Sequence, residues 1–192
     1  MGVVAKFVKS IVKCIFRIHL CGEENVPSEG ACVMCINHIS MFDPIVTSCV
    51  IKRPIRFIGK QELFKIPVLG WYLKSIKVIP IKRGTADINA VKTSLKALKD
   101  GEILGIFPTG TRERKNPNAK PKAGAAMIAM KANVPIIPVH IKADYKPFSK
   151  ALVTVGKPVD VSSFEGRKLS QEEFAEVADL IYKNIKALGD DK

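Results

Sequence analysis

No Gly-x-Ser-x-Gly phrase occurs anywhere in the 192 residues, which argues against a serine hydrolase built on a nucleophile elbow. Cysteine is sparse and odd in number. Cys14, Cys21, Cys32, Cys35 and Cys49 form no regular framework, so a secreted disulfide scaffold is excluded and a reducing cytoplasm fits. Cys32 and Cys35 make a Cys-x-x-Cys, but no second Cys/His pair completes a zinc site. On a strand, two positions three apart face opposite ways, so both read as buried strand cysteines and no metal is expected. Internal repeats and low-complexity linkers are absent. Acidic residues are scarce: 18 Asp and Glu stand against 31 Lys and Arg, for a net charge of +13 and a pI of about 9.6. That balance favours an anionic partner: nucleic acid, an anionic membrane or a phosphate-rich substrate. No nucleic-acid motif or aromatic stacking series supports the first of these.

Hydrophobic content of 47% and 26% charged residues are those of a globular chain, long enough for one domain with one sizeable core. The N-terminal stretch 3–20 mixes Val3, Val4, Phe7, Val8, Ile11, Val12, Ile15 and Phe16 with Lys6, Lys9, Lys13 and Arg17. Apolar residues about every four positions lie along one side of a helix. So many cations argue against a bilayer span, and no small-residue cleavage site of the signal-peptide kind follows. The pattern fits a basic amphipathic helix, residues 1–22, lying in the interface of an anionic membrane. Phe7, Val8, Ile11, Ile15 and Phe16 would touch lipid. The remainder, 23–192, would sit on the cytoplasmic face as a peripheral or monotopic domain. An ordinary helix packed on that domain is the alternative.

Short apolar runs then alternate with helical patterns. Strands are expected at Ala31–Ile36, Arg56–Ile58, Ile76–Ile81, Ile103–Phe107, Pro135–Ile141 and Leu152–Val155. Helices are expected at Pro44–Ile51 (with Asp43 as its N-cap), Thr85–Leu98, Lys122–Ala132 and Ser170–Leu188. This alternation predicts a single α/β domain whose sheet is covered by helices on both faces.

Two phrases fall on loops leaving strands, where α/β folds place binding residues. Asn37-His38-Ile39-Ser40 with Asp43 gives His-x4-Asp, the simplest general-base unit: the carboxylate fixes the ring tautomer and stabilises the imidazolium. A helix-capping Asp43 and a satisfied loop His38 are equally open on spacing alone. His19 and His140 have no such partner nearby and read as structural. Phe107-Pro108-Thr109-Gly110-Thr111-Arg112 offers close backbone approach at Gly110, a hydroxyl at Thr111 and a planar phosphate-binding fork at Arg112. The segments Gly59-Lys60-Gln61-Glu62-Leu63, leading to Pro67–Trp71, and Ala132–Val139 read on their own as ordinary structure.

Taken in order, these four segments, spanning residues 31–140, resemble the motifs of the 1-acylglycerol-3-phosphate acyltransferase family. The resemblance implies a glycerol-3-phosphate acyltransferase-like fold, a single α/β domain with a mixed sheet covered by helices. It implies that His38 is the general base, oriented by Asp43, in direct attack of a glycerol hydroxyl on the thioester of acyl-CoA or acyl carrier protein. It assigns acceptor binding to Lys60, Gly110, Thr111 and Arg112, with Thr109 beside them and Arg83 a further candidate. No cofactor or metal is implied beyond the acyl donor. The family phrase usually reads Phe-Pro-Glu-Gly-Thr-Arg, so Thr109 stands where a glutamate is usual, and Glu113 is a candidate substitute. The expected reaction is acylation of lysophosphatidic acid. The alternatives are another lysolipid or an amino-acid lipid as acceptor, or a non-catalytic basic lipid- or nucleic-acid-binding protein.

Overall fold

Cys32–Ile36 is apolar at every position and buried at every position, the mark of a strand covered on both faces. The computed structural model describes residues 3–82, 84 and 87–190, with side chains from residue 7 onward. In chain order the elements are α1 (Val3–Ile15), β1 (Arg17–Cys21), β2 (Cys32–Ile36), α2 (Asp43–Val50), β3 (Ile55–Lys60), α3 (Pro67–Ser75) and β4 (Ile79–Ile81). They continue with α4 (Ile88–Lys99), β5 (Ile103–Ile106), α5 (Gly124–Ala132), β6 (Ile136–Ala143), β7 (Lys150–Val155) and α6 (Gln171–Asp190). Among the described residues, seven strands form one sheet in the order β1-β7-β6-β2-β5-β3-β4. Every neighbouring pair is parallel except β6 and β7. The sheet is therefore mixed, as the family resemblance implies.

Two hydrophobic layers flank it. Cys32, Met34 and Ile36 of β2 point into the layer covered by α1, α2 and α3. Val33 and Cys35 point into the other, covered by α4, α5 and α6. The two cysteines thus lie on opposite faces, as expected of neighbours three apart on a strand. Burial pushes their thiols up, to about 11 for Cys32 and about 12 for Cys35, so both stay protonated and inert.

Some expectations are corrected. Residues 17–21 do not continue the N-terminal helix. They form the edge strand β1, paired with β7 in register Arg17↔Lys150 to Cys21↔Thr154. A boundary at residue 22 therefore cuts through the sheet. The N-terminal segment also divides its apolar residues. Phe7 and Ile11 are 65% and 42% exposed, whereas Phe16 is 4% exposed, packed in the core edge-on to Phe42 and Tyr145. Phe16 is a core residue and not a lipid contact, because the chain turns from helix to strand there. Val8 and Ile15 are half-buried against the same layer. The helix expected from Thr85 begins at Ile88, capped by Asp87, whose Oδ1 accepts the Ala90 N–H at 3.0 Å. Such a cap is worth about 1 kcal/mol. Thr85 itself lies outside the described residues.

Candidate active site

β2 and β5 are parallel neighbours, with Cys35 opposite Ile106. Their carboxyl ends therefore lie side by side, and each releases one of the two motif loops. β6 flanks β2 on the other side, also parallel, and β3 flanks β5. Ligand sites of α/β sheets lie at such carboxyl ends.

The first loop is fixed at its root by Asn37, a buried residue. Its Nδ2 donates to the Ile141 carbonyl at 3.0 Å, and its Oδ1 accepts the Ile141 N–H at 2.7 Å. The side chain thereby continues the β2–β6 ladder one step past the strand and sets where His38 emerges. His38 Nδ1 then lies 2.7 Å from Asp43 Oδ2. Asp43 is fully buried, and the same oxygen accepts the N–H groups of Ile39 and Ser40, each at 2.7 Å. This is a correction to the N-cap reading. Asp43 is the first residue of α2, and its carboxylate turns back onto the preceding loop. A carboxylate accepts only, so Nδ1 carries the ring proton, an assignment drawn from this network. A neutral ring then presents Nε2 as a lone pair, which is what a general base needs. One face of the imidazole stacks on Phe107, with ring centres 4.1 Å apart and planes at 25°. Phe107 stacks in turn on Phe57 at 5.9 Å. Phe57 fits because the neighbouring strand carries Gly105, where a Cβ would fall 2.6 Å from the Phe57 ring. The imidazole thus rests on a column of rings that a glycine makes room for.

The second loop is tied to the first. The Glu113 N–H donates to the His38 carbonyl at 2.7 Å, so the backbone next to Arg112 is tied to the loop that carries the His–Asp pair. Gly110 has φ of 64°, the left-handed conformation that glycine adopts without strain. Lys122 lies over it: a Cβ at Gly110 would meet Lys122 Nζ at 3.7 Å. No hydrogen bond or ion pair occupies the Arg112 guanidinium among the described residues. Thr109 is buried, with its hydroxyl donated to the Thr111 carbonyl at 2.8 Å. It acts inside the loop. Glu113 does not replace the missing carboxylate either, since its side chain is held by Lys186 of α6 at 3.1 Å. Lys60 stands at the end of β3, 3.6 Å from Glu62 and partly exposed. Arg83 lies outside the described residues.

Three participants escape a reading of the sequence. Phe107 was legible only as part of a motif, Asn37 only as a neighbour of His38. Tyr145, from the segment after β6, carries no motif at all, yet its hydroxyl donates to Asp43 Oδ1 at 2.5 Å. His140, on β6, packs under Gly189 near the end of α6, and burial pushes its pKa down. It has a structural place away from the pair. A cavity of about 500 Å3 opens beneath α2 and α3, lined by Ile45, Ser48, Ile55, Tyr72 and Ile76. Neither His38, Asp43 nor Arg112 lines it, so the reacting groups lie outside it.

A histidine–carboxylate pair and the loop that carries Arg112 meet at the carboxyl edge of a mixed sheet, where α/β enzymes place their active sites. The family model for acyltransferases matches residues 17–142, and the chain belongs to that family. It is 28% identical to the 1-acyl-sn-glycerol-3-phosphate acyltransferase of Bacillus subtilis, over 95% of this chain and 96% of that protein. It is 34% identical to the chloroplastic 1-acyl-sn-glycerol-3-phosphate acyltransferase BAT2 of Brassica napus, over 72% of this chain and 41% of that longer protein. The crystal structure of PlsC, the 1-acyl-sn-glycerophosphate acyltransferase of Thermotoga maritima, superposes with a TM-score of 0.71 at 25% identity. That match covers 97% of this chain and 79% of the other.

Proposed function

We propose that the protein moves a fatty acyl group from acyl-CoA or acyl carrier protein to the sn-2 hydroxyl of lysophosphatidic acid, giving phosphatidic acid. The observation that carries this reading is the His38–Asp43 contact of 2.7 Å beside the Arg112 loop. The names of the Bacillus, Brassica and Thermotoga relatives support the choice of acceptor. In this mechanism His38 Nε2 takes the proton of the acceptor hydroxyl as the oxygen attacks the thioester carbonyl. The tetrahedral intermediate collapses, the C–S bond breaks, and the leaving thiolate recovers the proton from the imidazolium. Asp43 keeps Nδ1–H in place and stabilises the ring while it is charged. The thioester is already activated, so the reaction as proposed calls on no metal or resident cofactor. Arg112 grips the acceptor phosphate with its planar fork, and Lys60 and Lys122 add positive charge. The direct test is thiol release from acyl-CoA in the presence of lysophosphatidic acid, with phosphatidic acid as the product. Folded protein that releases no thiol with any lysolipid defeats the reading.

Thr109 makes the acceptor worth testing separately, because no carboxylate occupies the place the family usually gives to glutamate. With lysophosphatidic acid as the acceptor, Arg112→Lys is expected to raise its KM roughly tenfold, since an ammonium cannot make the two-point contact. Thr109→Glu is then expected to raise kcat/KM on that substrate. A lowered kcat/KM on another lysolipid, with Arg112→Lys silent, reassigns the acceptor.

The second element of the proposal is location: a peripheral place on an anionic membrane, at its cytoplasmic face. No helix of the described residues is long and apolar enough to cross a membrane. Phe7 and Ile11 of α1 are exposed, as are Val68 and Trp71 of α3, which packs against α1. Lys13 and Lys74 flank them. Burying an aromatic or branched side chain in the acyl region gains about 1.5–3 kcal/mol, and each basic residue at the surface adds about 1 kcal/mol. Phe7→Ser with Ile11→Ser is therefore expected to weaken sedimentation with anionic vesicles at least tenfold, and added salt to weaken it further. Unchanged binding of the folded double variant returns α1 to a purely structural role.

A further inference from the structure

We propose that Tyr145 is a positioning residue of the acyl transfer: its hydroxyl holds the Asp43 carboxylate in the orientation that lets Asp43 hold His38. The proposal rests on the general-base reading above. Asp43 has no exposure to solvent, and its two oxygens are used differently. Oδ2 accepts from Ile39, Ser40 and His38. Oδ1 accepts from Tyr145. Without that hydroxyl, Oδ1 is a buried acceptor with no other partner among the described residues, a state that costs about 1–3 kcal/mol. The carboxylate relieves that cost by rotating or by admitting water, and either movement disturbs Oδ2 and the imidazole on it.

The way Tyr145 is held points to a job that the fold alone does not require. It reaches Asp43 across 102 residues of sequence. Its backbone sits at φ of 59°, where a bulky residue is strained. Its ring is stacked on Phe42 at 5.8 Å and set edge-on to Phe16 at 5.5 Å, which leaves the hydroxyl one direction. Burial, then the neighbouring Asp43 charge, pushes the phenol well above its ordinary pKa, so the group remains a donor throughout the working range. The groups with charge or titration around this contact are few. His38 and Asp43 come from the β2–α2 loop. Arg114 comes from the loop after β5, and its guanidinium is engaged by the Ala143 carbonyl at 2.8 Å. From the junction of α1 and β1 the neighbour is the apolar Phe16.

Tyr145→Phe removes only the hydroxyl and keeps both ring contacts and the backbone. In the thiol-release assay, kcat is expected to fall about tenfold with KM for both substrates little changed. The acid limb of kcat/KM is expected to move to higher pH. The sign follows from the chemistry. A carboxylate that loses a donor carries more unshared negative charge and attracts the imidazolium more strongly, and its own proton affinity rises. Both effects demand higher pH to free the base. A residue that merely stabilises the fold gives a lower Tm with unchanged kcat and an unmoved pH profile, and that result overturns the proposal. His38→Ala run in parallel separates the two readings. An inactive His38→Ala with a silent Tyr145→Phe sinks the role of Tyr145 alone, whereas an active His38→Ala sinks the general-base mechanism and this inference with it.

Discussion

His38→Ala is expected to lower kcat by about 10²–10⁴-fold, the usual contribution of a positioned base, while the protein stays folded. The structure supports both halves. The imidazole projects from a loop, its side chain is 12% exposed, and it fills no interior position of the sheet. Its removal leaves Asp43 Oδ2 with the N–H groups of Ile39 and Ser40, so no buried charge is stranded. The ring face of Phe107 becomes exposed, and the cost in stability is expected near 1 kcal/mol. Thiol release by a folded variant within about threefold of wild type eliminates the mechanism.

Asp43→Ala should be the most damaging single change, because it acts on stability and on rate together. Two backbone N–H groups and the Tyr145 hydroxyl lose their acceptor at once in a buried place. At about 1–3 kcal/mol for each such group, a total of about 3 kcal/mol or more is expected. In a domain of this size that lowers Tm by roughly 6–12 °C. Asp43→Asn isolates the charge. Three donors converge on Oδ2, so the amide oxygen takes that place and the amide nitrogen faces the Tyr145 hydroxyl, which can accept. The variant is expected to keep its Tm within a few degrees and to lose about 10²-fold in kcat. Thermal denaturation and steady-state rates on the same preparations check both, and wild-type rates for the folded asparagine variant remove the carboxylate from the chemistry.

The sheet and its motif loops are legible in the chain because each signal is local. An unbroken apolar run betrays β2, and two motif phrases each begin where such a run stops. What is not legible depends on long-range partners. Arg17–Cys21 reads as the tail of a helix, and only pairing with β7, more than 130 residues on, makes it a strand. Periodicity shows that α1 has an apolar arc but not which flank of that arc is covered. Ile11 and Val12 are neighbours about 100° apart on the helix, and the protein exposes one and buries the other. Asp43 precedes a proline that opens a helix, so a cap is the local expectation. The four donors converging on it come from folding, one of them from Tyr145. A lone tyrosine in a loop gives no pattern to find.

The edge-on contact of Phe16 with Tyr145 has an experimental cost. The residue that follows α1, Phe16, packs on the ring of Tyr145, whose hydroxyl reaches Asp43, and Val12 lies in the same core layer. Deleting the N-terminal segment therefore strips packing from Tyr145 as well as removing the residues proposed to touch lipid. Inactivity of a shortened chain is ambiguous for that reason, and the outward residues Phe7 and Ile11 are where attachment can be dissected from turnover.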